Sequence, residues 1–284
     1  MKRSIKVFVN LLSLLLVALA CLGFSACKED IKQIELKIAV YNYTSNKEEE
    51  HTLKVDLYRH LAPSTVDAIV QYVDGGYYND AIFYKIDEAG RSSQIMLGDL
   101  KMDAQGQIYQ NAIKPEIKGE FKAGGTVGSN LLNTKGSIGL WRTWTKLDDT
   151  YKTSTSTATG RATWYIPTEA IMEYDEYFCI FAQIDLTDSQ NLATLDKVIS
   201  AFADSAKCNS YEVYYTGTDY DETKENHGLT FHCEKDFNED EVENLFEPEG
   251  EQYVCYERYT IKVPAVTGTE NVAVKIKSAK IVQK

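Results

Sequence analysis

Two short amphipathic helices, set far apart among short alternating strands, constrain this sequence more than any other feature. Val66, Ile69, Val70 and Val73 recur at i, i+3, i+4 and i+7, which places them on one apolar helical stripe. Pro63 suits the first turn and Gly75-Gly76 the stop. Leu195, Val198, Ile199 and Phe202 repeat the spacing and predict a second helix over 192–203. Elsewhere the apolar residues alternate. Glu35 to Tyr43 and Leu53 to Tyr58 read as a hairpin whose turn is the charged stretch Ser45 to His51. Further strands are expected at Ala81–Ile86, Ser93–Leu97, Ser137–Trp141, Ala162–Ile166, Tyr177–Ile184, Tyr259–Val263 and Val272–Val282. A parallel sheet needs a crossover helix between successive strands, and two helices cannot supply them. The reading is a mainly β fold, a closed β-barrel capped by two α-helices.

The first 27 residues do not belong to that fold. Lys2, Arg3 and Lys6 form a basic start, Val7 to Phe24 is almost wholly apolar, and small residues lead into Cys21 and Cys27. This is the layout of a secretory signal, and a cysteine directly after the cut is the pattern of a bacterial lipoprotein. Polar sequence begins immediately behind Cys27, which makes it the expected lipidation site. A lipid there would hold the protein at a membrane surface outside the cytoplasm without a spanning helix. The organisation is then a signal peptide over 1–27, a tether over 28–33 and one folded domain over 34–284.

Charge narrows the partners. Removing the three basic residues of the signal leaves 27 basic against 42 acidic side chains, a net −15. Nucleic acid needs clustered Lys and Arg, so it is excluded. The acidic residues concentrate in 205–258, above all between Asn238 and Glu251. This segment reads as an insertion projecting from the domain, with a basic protein as its candidate partner. Cys208, Cys233 and Cys255 fall in it and leave room for one disulfide whose pairing is not legible. Cys179, in an apolar run, reads as a buried hydrophobe. His227, His232 and Cys233 have ligand-like spacing but lack a second cysteine pair. The acidic run has no calcium loop with a central glycine. No metal and no cofactor is expected.

Six stretches, in order, resemble the cyclophilin family of peptidyl-prolyl cis-trans isomerases (rotamases). Leu53-Lys54-Val55-Asp56-Leu57-Tyr58 followed by Leu61-Ala62-Pro63-Ser64-Thr65-Val66 is similar to the family's strand and its "apolar-Ala-Pro-x-Thr-Val". Gly76 to Lys85 resembles "Gly-Tyr-Tyr-Asp-x-x-x-Phe-His-Arg", and Gly98-Asp99 ends the family's "Gln-Gly-Gly-Asp". Lys135 to Thr143 resembles "Lys-Gly-x-Ile-x-Met-Ala-Arg-Thr". Thr163-Trp164-Tyr165-Ile166 stands for "Gln-Phe-Phe-Ile", and Tyr177 to Ile184 with the second helix for "Val-Phe-Gly-x-Val" and its helix. The last strand would then close the barrel beside Glu35–Val40.

The resemblance implies a function and a site. Rotating an X-Pro amide means crossing a barrier of about 20 kcal/mol. A fixed cationic donor aimed at the prolyl nitrogen stabilises the twisted state over both planar ones. Lys85 falls where the family has its arginine, keeping the charge but losing the planar fork. The family's glutamine falls on Met96, its pocket phenylalanine near Ser93, and its peptide-holding pair on Trp141-Arg142. Tyr165 takes the aromatic floor of the proline pocket, and Phe178 replaces a histidine at its edge. Lys85, Met96, Trp141, Arg142, Tyr165 and Phe178 should line one shallow groove on the outer face. The implied function is weak prolyl isomerisation on exported proteins. The alternative is a proline-peptide-binding or partner-docking lipoprotein without turnover.

Overall fold

The computed structural model describes residues 32–87, 93–117, 119–121, 131–142, 160–217, 230–235, 254–266 and 270–284. The signal-like segment with Cys21 and Cys27, the acidic run Asn238–Glu251, and His227 lie outside the described residues. So do the side chains of 215–217, 230 and 254–258.

The strands are β1 (Lys32–Asn42), β2 (Lys47–Leu57), β3 (Ala81–Ile86), β4 (Gln94–Met102) and β5 (Ile108–Gln110). They continue with β6 (Ser137–Arg142), β7 (Gly160–Pro167), β8 (Cys179–Ile184) and β9 (Cys208–Gly217). The last are β10 (Thr230–Glu234), β11 (Val254–Val266), β12 (Glu270–Asn271) and β13 (Lys275–Gln283). Pairing runs β3-β13-β1-β2-β8-β6-β7-β4, and β4 pairs back onto β3, so the sheet closes in a ring. Leu36 faces Ala279 across β1–β13, the closure expected from the sequence. The ring is thinnest at β3–β13, where Lys275 faces Ile82. There Asp80 N–H donates to Ile276 O and Phe83 N–H to Val274 O, both at 2.8 Å.

The hairpin turn is shorter than expected. β1 and β2 run in register from Gln33↔Asp56 to Asn42↔Lys47, so the charged residues 47–51 are strand. Their acids find basic partners across neighbouring elements: Glu48 with Lys277 (3.2 Å) and Lys275 (3.8 Å), Glu49 with Lys197 (3.5 Å). A run of like charge reads as a turn only when its counter-charges lie elsewhere in the sequence.

Helix α1 (Pro63–Asp74) opens at Pro63, and its N-cap Ala62 offers no side chain. Buried Glu120 takes that part, accepting from Ser64 N–H at 3.0 Å and Thr65 N–H at 2.8 Å. A carboxylate there satisfies orphan amides and faces the positive end of the helix dipole. Helix α2 (Ser189–Ser200) starts three residues before the expected position 192, because Asp188 caps it through Gln190 N–H at 2.8 Å. Asn191 and Thr194 tie it to β2: Lys54 N–H donates to Asn191 Oδ1 at 2.9 Å, and Thr194 Oγ1 to Thr52 O at 3.2 Å.

Every ring strand sends alternate residues into one core, with Trp164, Phe181, Tyr78 and Phe83 among its largest members, and both helices add to it. The opposite face of β3, β4 and β7 carries a second apolar cluster. Of the 205–258 segment, residues 205–217, 230–235 and 254–258 are described. Its described strands extend the ring sheet in the order β10-β9-β11-β3, with Ile261 facing Ile86. The sheet forks at β3, whose first half pairs β13 and whose end pairs β11. Val213, Tyr259, Ile261 and Val263 join the second cluster. Cys208 and Cys233 are free thiols. Cys233 faces Val213 and so lies on the clustered face, whereas Cys208 takes the other face of β9; they cannot bridge. His232 stacks flat on Tyr214 (4.7 Å, 6°).

A candidate aromatic site on the outer face

The second cluster is built around one glycine. Gly139 of β6 faces Tyr165 of β7, which in turn faces Met96 of β4. A Cβ at Gly139 would lie 2.1 Å from the Tyr165 ring. The missing side chain is therefore what lets this ring lie flat on the sheet. Two residues on, and so on the same face, Trp141 stacks on Phe178 with centroids 5.5 Å apart at 26° and meets Tyr165 at 6.0 Å. Phe178 is 5.3 Å from Tyr165 and 4.5 Å from Tyr174, and Tyr165 meets Tyr174 edge-on at 5.7 Å. These separations are those of favourable aromatic pairs.

Asn133 locks the arrangement. It accepts from Tyr165 Oη–H at 2.5 Å. Its N–H and Nδ2 donate to Asp175 at 2.7 and 2.8 Å, and its carbonyl accepts from Ile171 N–H at 2.8 Å. Burial pushes the Tyr165 phenol well above its ordinary value, so it stays a donor. Beside Trp141, Arg142 is nearly buried, donates through Nη1 to Tyr177 O at 2.9 Å and lies over the Phe121 ring at 4.3 Å.

The sequence pattern described as "Cyclophilin type peptidyl-prolyl cis-trans isomerase/CLD" matches residues 42–214, more than half of the 284-residue chain. The chain belongs to this cyclophilin-type family. Two solved structures resembling it are of a Cryptosporidium parvum cyclophilin type peptidyl-prolyl cis-trans isomerase. One, in the presence of the dipeptide Ala-Pro, is 15% identical, with 58% of this chain and 84% of that chain covered and a TM-score of 0.35. The other is 14% identical over the same shares, with a TM-score of 0.36. No curated protein matches.

Of the residues expected from the cyclophilin resemblance, the fold brings Met96, Trp141, Tyr165 and Phe178 together, with Arg142 at the edge. They do not line an open groove. Met96 and Tyr165 are fully buried and Phe178 is 5% exposed, and Trp141 and Tyr174 pack against the Tyr165 and Phe178 rings. Lys85 does not join them. Phe83 packs into the ring core while Tyr84 and Ile86 pack into the outer cluster. Period-two alternation therefore puts Lys85 on the face away from the rings, opposite Lys262 of β11. There its charge and that of Lys262 partly offset the burial that pushes the Cys208 thiol up. Tyr84, not Lys85, is the β3 side chain on the Met96 side. Tyr174, Asn133 and Gly139 were not foreseen. Only Gly139 left a signal, a glycine inside an otherwise apolar strand.

Tyr84 sets up one pH-dependent element. Its hydroxyl donates to both Asp99 oxygens at 2.9 Å. Burial outweighs this bond and pushes the Asp99 carboxyl up to about 6. The folded state thus holds a proton that the unfolded chain has released near pH 4. Stability from this group is highest below pH 4, falls as pH rises towards 6, and the loss is complete above it. Asp99→Asn should remove the loss, raising stability at pH 7 by about 3 kcal/mol and leaving it unchanged at pH 4. Thermal melts of both proteins at pH 4, 5, 6 and 7 check this; parallel curves would refute it.

Proposed function

We propose that this protein is an exported, membrane-anchored prolyl isomerase of reduced activity that meets proline-containing segments of other exported polypeptides. The observation that carries the reading is the four-ring cluster of Tyr165, Phe178, Tyr174 and Trp141 on the outer face of a cyclophilin-type domain. Aromatic faces pack well against a proline ring, and a dry apolar site strengthens any hydrogen bond aimed at the twisting amide. Reduced turnover follows from the cation. Lys85 takes the far face of β3, so the expected donor is not directed at the rings. An isomerisation assay on a panel of proline tetrapeptides tests this. The wild type should turn over slowly, and Lys85→Ala should change the rate by less than about twofold, whereas loss of one aimed donor costs roughly a hundredfold or more. Turnover at the rate of an ordinary cyclophilin, or its collapse in Lys85→Ala, would refute the proposal.

The same placement of Lys85 favours a second reading, a domain that binds proline peptides without isomerising them. Measurable peptide affinity with no turnover selects it.

The anchor rests on the sequence alone. Among the described residues no helix is long and apolar enough to cross a membrane. Cys27→Ser should move the protein from the membrane to the soluble fraction or block its processing, and Cys21→Ser should not. The reverse pattern would assign the lipid to Cys21.

A further inference from the structure

Among the described residues the two most exposed large apolar side chains are Met172 and Leu132, at 81% and 57%. Each lies one residue from a backbone bond that ties their two segments together, Ile171 N–H donating to Asn133 O at 2.8 Å. Neither segment is loose. Asn133 also donates to Asp175 through its N–H and Nδ2, and Asp175 N–H donates to Met172 O at 3.2 Å. Apolar side chains scattered singly on a surface are ordinary, whereas a contiguous exposed patch marks an interaction site. This patch runs on into the aromatic cluster. Leu131, Trp141 and Tyr177 are partly buried against it, and Tyr174, one of its rings, shares a 3-10 turn (Met172–Tyr174) with Met172.

The charge beside the pair has one sign. From Ala162 to Asp196 the chain carries seven acidic residues and no basic one. Glu173, between Met172 and Tyr174, is exposed. The nearby bases are engaged: Lys135 lies 2.7 Å from Asp196, and Arg142 is nearly buried and donates to Tyr177 O. We propose that Met172, Leu132 and Glu173 form a second subsite that selects proline-containing segments with an apolar residue and a lysine or arginine beside the proline. This rests on the reading of the aromatic cluster as a proline-peptide site. A 3-10 turn rises about 2 Å per residue, and an extended peptide advances about 3.3 Å per residue. A peptide with its proline at the rings therefore carries its next few residues across Met172 and Leu132. The apolar residue covers the pair that water now meets. The basic residue meets Glu173, where charge steers and selects more than it holds. An acidic flank is repelled, so the same carboxylate discriminates between peptides.

The test titrates the protein, by NMR, with an Ala-Pro-containing tetrapeptide and with the same tetrapeptide extended on either side by Leu-Lys, Leu-Glu or Ala-Ala. On the favoured side, Leu-Lys should bind about tenfold tighter than Ala-Ala. It should also bind tighter than Leu-Glu, by a margin that shrinks as salt is raised. The double variant Met172→Ser, Leu132→Ser changes only exposed side chains, so its melting temperature and its affinity for the bare tetrapeptide should stay as they are. Its Leu-Lys affinity should fall to that for Ala-Ala. Glu173→Gln should erase the difference between Leu-Lys and Leu-Glu and keep both above Ala-Ala. Equal wild-type affinities for Leu-Lys and Ala-Ala on both sides would overturn the proposal, as would a preference that survives in the double serine variant. A dimer in sedimentation that this variant dissolves would assign the pair to a second copy of the chain, and would overturn it too. If the wild type binds no proline peptide even at millimolar concentration, the reading of the aromatic cluster fails and the subsite goes with it. If it binds all of them equally well, the subsite alone fails.

Discussion

Gly139→Ala is expected to destabilise the protein by about 3–5 kcal/mol, a large part of the 5–15 kcal/mol that holds a typical domain together. The added Cβ would meet Tyr165 at 2.1, 2.2 and 2.3 Å, at Cζ, Cε1 and Oη. No real methyl approaches so close, so either the ring or the strand has to move. The ring is held by Trp141, Tyr174 and Phe178 and tethered through its hydroxyl to Asn133. Overpacking of this kind costs about 1–3 kcal/mol. Pulling the phenol off Asn133 leaves a buried acceptor short of a partner, a further 1–3 kcal/mol or so. Pairing the change with Tyr165→Ala isolates the cause. Tyr165→Ala alone should cost about 3–5 kcal/mol by opening a cavity. The double variant should be at least about 2 kcal/mol more stable than the two losses added together, because the methyl then enters the space the ring vacated. Urea denaturation of the four proteins measures the cycle. Additive losses would mean that Gly139 is required for its backbone and not for Tyr165.

How legible the fold was depended on whether its cause was local. The stripe Val66, Ile69, Val73 and the strand Ala81–Ile86 are short-range patterns, and they stand where the residues predicted them. The order of motifs through residues 53–200 led to the family, and the family to a closure of β13 against β1. Boundaries that depend on distant partners were not legible. Residues 47–51 are strand because Lys197, Lys275 and Lys277 come to meet their acids. The helix at 63 is capped by Glu120, which no window around Pro63 contains. The site divides in the same way. Tyr165 and Phe178 were legible because their motifs fix their positions. That Lys85 faces away from them follows from which face of β3 meets β4 and β11, a property of three strands at once. Tyr174 lay in the polar run Glu173-Tyr174-Asp175-Glu176, whose chemistry reads as loop. Asn133, which pins Asp175 and thereby that run, gave no sign of its role.

Trp141→Ala should open the aromatic site and improve peptide binding, at a cost in stability. The family resemblance gives this position an alanine, and here an indole occupies the space above Phe178 and beside Tyr165 and Tyr174. A proline ring seeking those faces must first displace it. A site that is competent only when Trp141 has swung away binds with an affinity reduced by the fraction of time it spends open. Removing the indole sets that fraction near one. If the open state is populated about a tenth of the time or less, Trp141→Ala tightens tetrapeptide binding about tenfold or more, worth about 1.4 kcal/mol. The indole is only half-buried, so truncation should cost about 2 kcal/mol, less than the 3–5 kcal/mol of a fully buried tryptophan. The two effects have opposite signs and are read by separate experiments, NMR titration with the tetrapeptide and urea denaturation. Trp141→Phe distinguishes cover from floor: a cover made smaller should give an intermediate affinity, a floor made smaller a weaker one. Weaker binding in both variants would place Trp141 among the groups that hold the peptide, and the closed state of the cluster would then be its binding-competent one.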